Sequence, residues 1–149
     1  MTDRIISNNR RARYDYEILE SFEAGIVLTG TEIKSIRDGR VSIAQSYAKP
    51  SNGEIWLTNA HIASYESGNI NNHDPVRERK LLLHKNQIRR LTQQVSTSGL
   101  TLIPLRLYIR NHVAKIELGL GKGRKRYDKR KAMIDAERTK EAREAERRR

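Results

Sequence analysis

The stretch that decides the fold is "LTLIPLRLYIRNHVAKIELGLGKG", residues 100–123. It alternates at Leu100 and Leu102, then takes up the alternation again at Leu105, Leu107 and Ile109. A period of two in leucine and isoleucine is the pattern of a strand with one buried face. The change of phase at Ile103–Pro104 predicts a bulge or an edge position, because proline has no N–H to give to a ladder. A second run follows, with Ala114, Ile116, Leu118 and Leu120 on one parity.

Outward from these runs, more strands are expected. "YDYEILESF" alternates through Tyr14, Tyr16 and Ile18, and "EAG" with "IVLTG" suggests a bend and a second short strand. "VSIAQSYAK" puts Val41, Ile43 and Tyr47 on one parity, Pro50 to Glu54 reads as a turn, and "IWLTNAHIASY" follows as one strand or two. Two helices interrupt the series. "GTEIKSIRDGR" offers Thr31 as a cap, Ile33 and Ile36 three apart, and Gly39 as a stop. "LLLHKNQIRRLTQQV" places Leu81, Ile88, Leu91 and Val95 near helical period, with Gly99 beyond its end. Residues 67–80 read as a polar loop, long enough to be functional. The sum predicts a mainly β fold with flanking helices, an OB-fold-like closed antiparallel β-barrel, with a sandwich as the alternative.

Length and composition fit one such unit. The chain has 149 residues, 36% of them hydrophobic, enough for one modest core. Its formal net charge is +12, which points to a polyanionic partner and above all to nucleic acid. Residues 122–149 hold 13 Lys+Arg against 6 Asp+Glu and almost nothing apolar. We therefore expect two parts. Residues 1–121 form an OB-like RNA-binding barrel with two or three helices, and residues 122–149 form a basic C-terminal tail, disordered or helical. "DAERTKEAREAERRR" favours helix by propensity and by the spacing of its acids and bases, yet it cannot bury enough to hold that helix alone. The tail is thus expected to be disordered when free and ordered on a partner.

Several kinds of chemistry find no support. Without cysteine there is no disulfide, zinc ribbon or thiol nucleophile, which fits a cytoplasmic protein. "MTDRIISNNRRARYDY" has no apolar run of signal-peptide type, and no run of about 18 apolar residues predicts a membrane span. His61, His73, His84 and His112 fall in no ligand spacing, so no metal is expected. His73–Asp74 beside a proline reads as a turn, and nothing gathers Glu32, Asp38 and Asp74 into a nuclease cluster. "GLGKG" matches neither phosphate-loop pattern, since its third glycine comes one residue early for GxGxxG. No catalytic residue and no cofactor is expected.

Cations mixed with aromatic rings are the positive signal. Cations bind phosphates and rings stack under unpaired bases. "NNRRARYDY" supplies Arg10, Arg11, Arg13 and Tyr14; "DPVRERKLLLHK" supplies Arg77, Arg79, Lys80 and Lys85; "GKGRKRYDKRK" sets six cations, counted from Arg124 to Lys131, around Tyr127.

Taken together, "NRRARYDY", "FEAGIVLTGTEIKSIRDGRVSI", "HDPVRERKLLLHK", "GLTLIPLRLY" and "KIELGLGKGRKRYDKR" resemble, in order, the small protein B (SsrA-binding protein) family of bacteria. The resemblance covers Asn8 to Arg130. It implies an OB-type barrel that is not an enzyme. It implies binding to the tRNA-like part of transfer-messenger RNA and delivery, with elongation factor Tu and GTP, to ribosomes stalled in trans-translation. A ribosomal or general structured-RNA-binding protein is the alternative. By motif, the resemblance implies RNA contacts at Asn9, Glu23, Leu82 and Lys115, beside the cations already named. Leu82 and Glu23 each also admit a bland reading, as a core residue and a turn residue. The family's tail enters the small-subunit decoding centre and the empty mRNA channel. That role would fall to Gly121, Lys122, Gly123, Arg124, Lys125, Tyr127, Asp128, Lys129 and Arg130, with Gly121 and Gly123 as the joint and Tyr127 stacking on a base.

Overall fold

The computed structural model describes residues 3–65, 72–124 and 126–147. Nine strands and four helices lie among them. In chain order they are β1 (Arg4–Asn8), α1 (Ala12–Asp15), β2 (Tyr16–Ile26), α2 (Gly30–Arg37), β3 (Val41–Ser42), β4 (Tyr47–Ser51), β5 (Glu54–Thr58), β6 (His61–Ile62), β7 (Arg79–Leu82), α3 (Lys85–Ser98), β8 (Thr101–Arg110), β9 (Val113–Gly123) and α4 (Arg126–Arg147). The fold is mainly β with flanking helices and a C-terminal helix.

All strand pairs are antiparallel. Seven strands make one sheet in the order β1-β8-β4-β5-β7-β2-β9, and β8 also pairs with β9, while β3 and β6 form a separate small ribbon. The hairpin β8–β9 is the spine of this arrangement. Its pairing extends from Thr101↔Gly121 to Arg110↔Val113, turning at Asn111 and His112, both at positive φ.

The phase change expected at Ile103–Pro104 is real. Between Pro104↔Leu118 and Arg106↔Glu117 the register shifts, so that Leu105 is the extra residue of a bulge. The bulge sorts the apolar residues of β8 onto two faces. Leu102, Leu107 and Ile109 pack in the main core with Ala24, Ile36, Ile55, Leu57, Leu81, Ile88, Leu91, Ile116, Leu118 and Leu120. Ile103 and Leu105 face the other way, into a small cluster with Ala12 of α1, Tyr16 and Ile18. A matching bulge at Leu19 turns β2 over in the same manner, from Ile18 in the small cluster to Phe22 and Ala24 in the core. β2 is therefore one bent strand of 11 residues and not two strands with a bend at "EAG".

Other boundaries move for local reasons. Leu81 and Leu82 belong to β7, and α3 starts at Lys85, because β5 offers Leu81 a partner at Ile55. "VSIAQSYAK" is broken after Ser42: Ser46 Oγ bonds the Ile43 carbonyl at 2.6 Å and closes a turn, which leaves Tyr47 45% exposed and off the core. "IWLTNAHIASY" is two strands, separated at Asn59, which has positive φ. α2 is capped by Thr29 and not Thr31. Thr29 Oγ accepts from the Glu32 N–H, and the Glu32 carboxylate accepts from the Thr29 N–H at 2.8 Å, a capping box. Gly39 and Gly99, at φ +75° and +65°, end α2 and α3 as expected.

Candidate RNA-binding surface

Beyond the two bulges, the outer face of β2, β9 and β8 is mostly polar, opposite the core residues of the same strands. Glu23 and Gly25 stand on β2, Lys115 and Glu117 on β9, and Arg106, Tyr108 and Arg110 on β8. Gly25 pairs with both Lys115 and Leu82, so β7 continues this face. A cavity of about 370 Å³ opens there, lined by Glu23, Gly25, Leu82, Leu83, His84, Gln87 and Lys115. Three of the residues picked by motif, Glu23, Leu82 and Lys115, thus meet in one groove. Leu82 is 50% exposed, so its core reading falls away. Gly25 makes room for it: a Cβ there would lie 3.2 Å from Leu82 Cβ.

Glu23 is held from one side. Its Oε2 accepts from the Tyr108 hydroxyl and from Arg110 Nη1 at 2.6 Å. Arg110 in turn clasps Asp3 through Nε and Nη2, at 2.7 and 2.9 Å. The guanidinium carbons of Arg106 and Arg110 lie 4.7 and 5.3 Å from the Tyr108 ring centroid, and Arg106 also pairs with Glu117. These cations offset the like charges of Glu23 and Glu117, which are directly opposed in the β2–β9 register.

Asn9 lies apart from that groove. Its Nδ2 donates to the Pro104 carbonyl at 3.0 Å and its N–H to the Leu105 carbonyl at 2.8 Å, so it latches the β8 bulge. Beside it, Arg10 and Arg13 line a cavity of about 270 Å³ with Asn8, Leu105, Arg106 and Glu117. Arg11 is exposed at the start of α1.

The cations of "DPVRERKLLLHK" divide. Lys80 is partly exposed, 3.4 Å from Glu54. Arg77 pairs with Glu32 at 2.6 Å, with about a third of its side chain exposed. Arg79 departs from expectation: it is fully buried, its Nε on Glu32 and its other donors on the carbonyls of Ala60, Asp74 and Pro75. A guanidinium so enclosed is out of reach of a phosphate, and its role is to tie β7 to α2. Asp74 does form the expected turn, accepting from the Val76 N–H at 3.0 Å. His73 packs inside, one ring nitrogen on Thr31 and the other on the Ile62 carbonyl. Among the described residues no group of His, Asp and Glu could hold a metal ion, and no helix is long and apolar enough to cross a membrane.

Gly121 is not a joint. It is a buried residue of β9, paired with Ile18 and Thr101, where a Cβ would stand 3.0 Å from the Glu17 carbonyl oxygen and from Ile103 Cδ1. The ladder continues through Lys122 and Gly123, and the Arg124 N–H bonds the Asp15 carbonyl at 2.9 Å. Gly123 has open space around its Cα. Lys125 lies outside the described residues, as do residues 67–71 of the polar loop. Tyr127, Asp128, Lys129 and Arg130 fall in the first turns of α4, and Lys129 Nζ is 3.5 Å from Asp15. Between α1 and α4 a cavity of about 1000 Å³ is lined by Arg10, Arg13, Lys122, Arg124 and Lys131, against Glu17 and Asp135.

Comparison with known proteins decides the kinship. The family model described as SmpB protein matches residues 6–148. The chain belongs to the SmpB family. Among curated SmpB relatives, the SsrA-binding protein of Carboxydothermus hydrogenoformans is 54% identical over 143 residues, covering 96% of each chain. That of Geobacillus thermodenitrificans is 55% identical over 130 residues, covering 87% of this chain and 84% of the relative. A solved chain described as "tmRNA-SmpB: a journey to the center of the bacterial ribosome" is 51% identical, with a TM-score of 0.66 over 85% of this chain and 92% of that one. Read without that kinship, the sequence leaves Tyr108 and Arg110 unremarked. The signal was there in the alternation of β8, which places both on the face opposite Leu107 and Ile109.

Proposed function

We propose that this chain is a trans-translation adaptor. It binds the tRNA-like domain of transfer-messenger RNA on the outer face of β2, β7 and β9 and carries that RNA to stalled ribosomes. The observation that carries the reading is the meeting of Glu23, Leu82 and Lys115 in one groove. Together they offer RNA an acceptor, an apolar platform and a cation. The names of the relatives, which bind SsrA RNA, support the same conclusion. Strand pairing that leads from β8 through β4, β5, β7, β2 and β9 back to β8 supports an OB-type closed barrel as the scaffold.

Arg10, Arg11 and Arg13 extend the surface along the phosphates, with Lys80 and the exposed part of Arg77 beyond the groove. Helix α4 supplies the second function. Its exposed cations enter the RNA-walled decoding centre and the vacant mRNA channel, and Tyr127 stacks there on a base. Elongation factor Tu with GTP travels in the same complex, in the cytoplasm. On this reading the body ends at Arg124 rather than Gly121, a choice supported by the Arg124 N–H still bonding the Asp15 carbonyl of α1. Truncation after Arg124 therefore leaves affinity for the isolated tRNA-like domain intact and abolishes tagging of stalled peptides. The deciding measurement is binding to that domain and to ordinary tRNA at physiological salt. A clear preference for the former supports the adaptor. Equal affinity would instead mark a general structured-RNA-binding protein.

A further inference from the structure

Glu23 is an acid on a surface meant for a polyanion, and Coulomb's law alone disfavours it there. The network around it gives the acid a defined task. Among the described residues, both hydrogen bonds to Glu23 land on Oε2, from the Tyr108 hydroxyl and Arg110 Nη1. Tyr108 is 2% exposed and lies against two guanidiniums, so its hydroxyl is fixed in place. Arg110 is fixed in turn by the two-pronged grip on Asp3, just ahead of β1. A carboxylate held through one oxygen has its other oxygen set in direction: among the described residues Oε1 takes no hydrogen bond, and Glu23 lines the groove that Leu82 and Lys115 complete.

We propose that Tyr108 and Arg110 are positioning residues that make Glu23 a one-sided, pre-oriented acceptor for an N–H donor on the edge of an unpaired RNA base. The inference rests on the reading of this groove as the RNA site. The exposed Leu82 face favours a flat base over a ribose as the donor's carrier. Lys115, opposite Tyr108 in the β8–β9 register and next to Gly25 in the β2–β9 register, neutralises the phosphate that accompanies it. The guanidinium of Arg110 compensates the charge of Glu23 from behind, which lowers the repulsion felt by the incoming strand. Burial first, and then the bond to Glu23, push the Tyr108 phenol above its ordinary range, so it stays a donor at any working pH.

The test is a double-mutant cycle read by affinity for the tRNA-like domain. Tyr108→Phe removes one hydroxyl and keeps the ring between its guanidiniums. It should weaken binding by about tenfold, the order of one hydrogen bond to a charged group, with the slope of affinity against salt unchanged. In a Glu23→Ala background the same substitution should change affinity by less than about twofold, since the group it positions is gone. Arg110→Lys, which keeps the charge and loses the fork, should weaken binding about as much as Tyr108→Phe does. A merely structural tyrosine would weaken both backgrounds equally, and that result would overturn the proposal. So would full affinity of Tyr108→Phe. Absence of preference in the unmutated protein would instead remove the functional reading itself, so the two failures are distinguishable.

Discussion

Asn9 and Pro104 are joined across the sheet: Asn9 Nδ2 donates to the Pro104 carbonyl at 3.0 Å, one residue before the bulge at Leu105. The Asn9 N–H takes the next carbonyl along. A bulge leaves backbone acceptors without their ladder partner, and Asn9 supplies one from outside. Asn9→Ala should therefore cost about 1–2 kcal/mol of stability, seen as a lower denaturant midpoint at constant m-value. Asn9→Asp should not rescue it, because an ionised carboxylate cannot donate. Loss of RNA affinity at an unchanged midpoint would show that Asn9 acts by touching RNA instead.

The two glycines at the end of β9 should behave differently. A methyl group at Gly121 meets the Glu17 carbonyl oxygen and Ile103, both at 3.0 Å, whereas Gly123 has room. Gly121→Ala should cost about 1–3 kcal/mol from overpacking, and Gly123→Ala should stay within about 0.5 kcal/mol of the parent. Thermal denaturation of the two variants checks this. If both left stability untouched and both impaired only ribosome-dependent tagging, the glycines would be hinges after all.

These glycines show where the sequence was legible and where it was not. The alternation of β8 and β9 is local, so it could be read, and so could the break at Pro104. The helix stops at Gly39 and Gly99 follow from the chemistry of a single residue. What the glycines of "GLGKG" pack against is not local. Ile18 and Ile103 arrive from other strands, and only the assembled sheet shows that Gly119 and Gly121 clear space for them. The same holds for Arg79, whose spacing in a cationic run looks like a phosphate contact until Glu32 is found beside it, 47 positions earlier in the chain. β1 and α1 are too short to carry a period. For the groove, kinship of motifs picked out Glu23, Leu82 and Lys115, but the support behind Glu23 needed coordinates.

Glu32 should govern the acid limit of the fold. Burial opposes its charge, but hydrogen bonds from Arg77, the Thr29 backbone and Arg79 outweigh it and hold the carboxyl below its ordinary 4.5. A depressed carboxyl contributes stability that is complete above its unfolded value and is lost as pH falls through the folded one. Glu32→Gln leaves the buried Arg79 without its counter-charge and should cost about 3 kcal/mol at pH 7. The gap between parent and variant should then shrink as pH drops below 4.5. Denaturation midpoints from neutral pH to pH 3 measure it, and a gap independent of pH would mean that the ion pair is not what Glu32 contributes.

Lys115 and Leu82 line one groove but should be separable by salt. Binding to RNA phosphates releases condensed counterions, and each phosphate contact adds to the slope of log K against log salt. A lysine on a phosphate thus carries a share of that slope, whereas an apolar contact with a base carries none. Lys115→Ala should weaken binding to the tRNA-like domain and lower the slope by about 1. Leu82→Ala removes an exposed side chain that packs over Gly25, so the fold should tolerate it. Its binding should weaken by about five- to tenfold, in the range of a lost base-stacking contact, at an unchanged slope. Titrations at four salt concentrations resolve the two cases. If Leu82→Ala altered the slope as Lys115→Ala does, the substitution would be disturbing the whole cationic surface, and the assignment of Leu82 as a platform for a base would not stand.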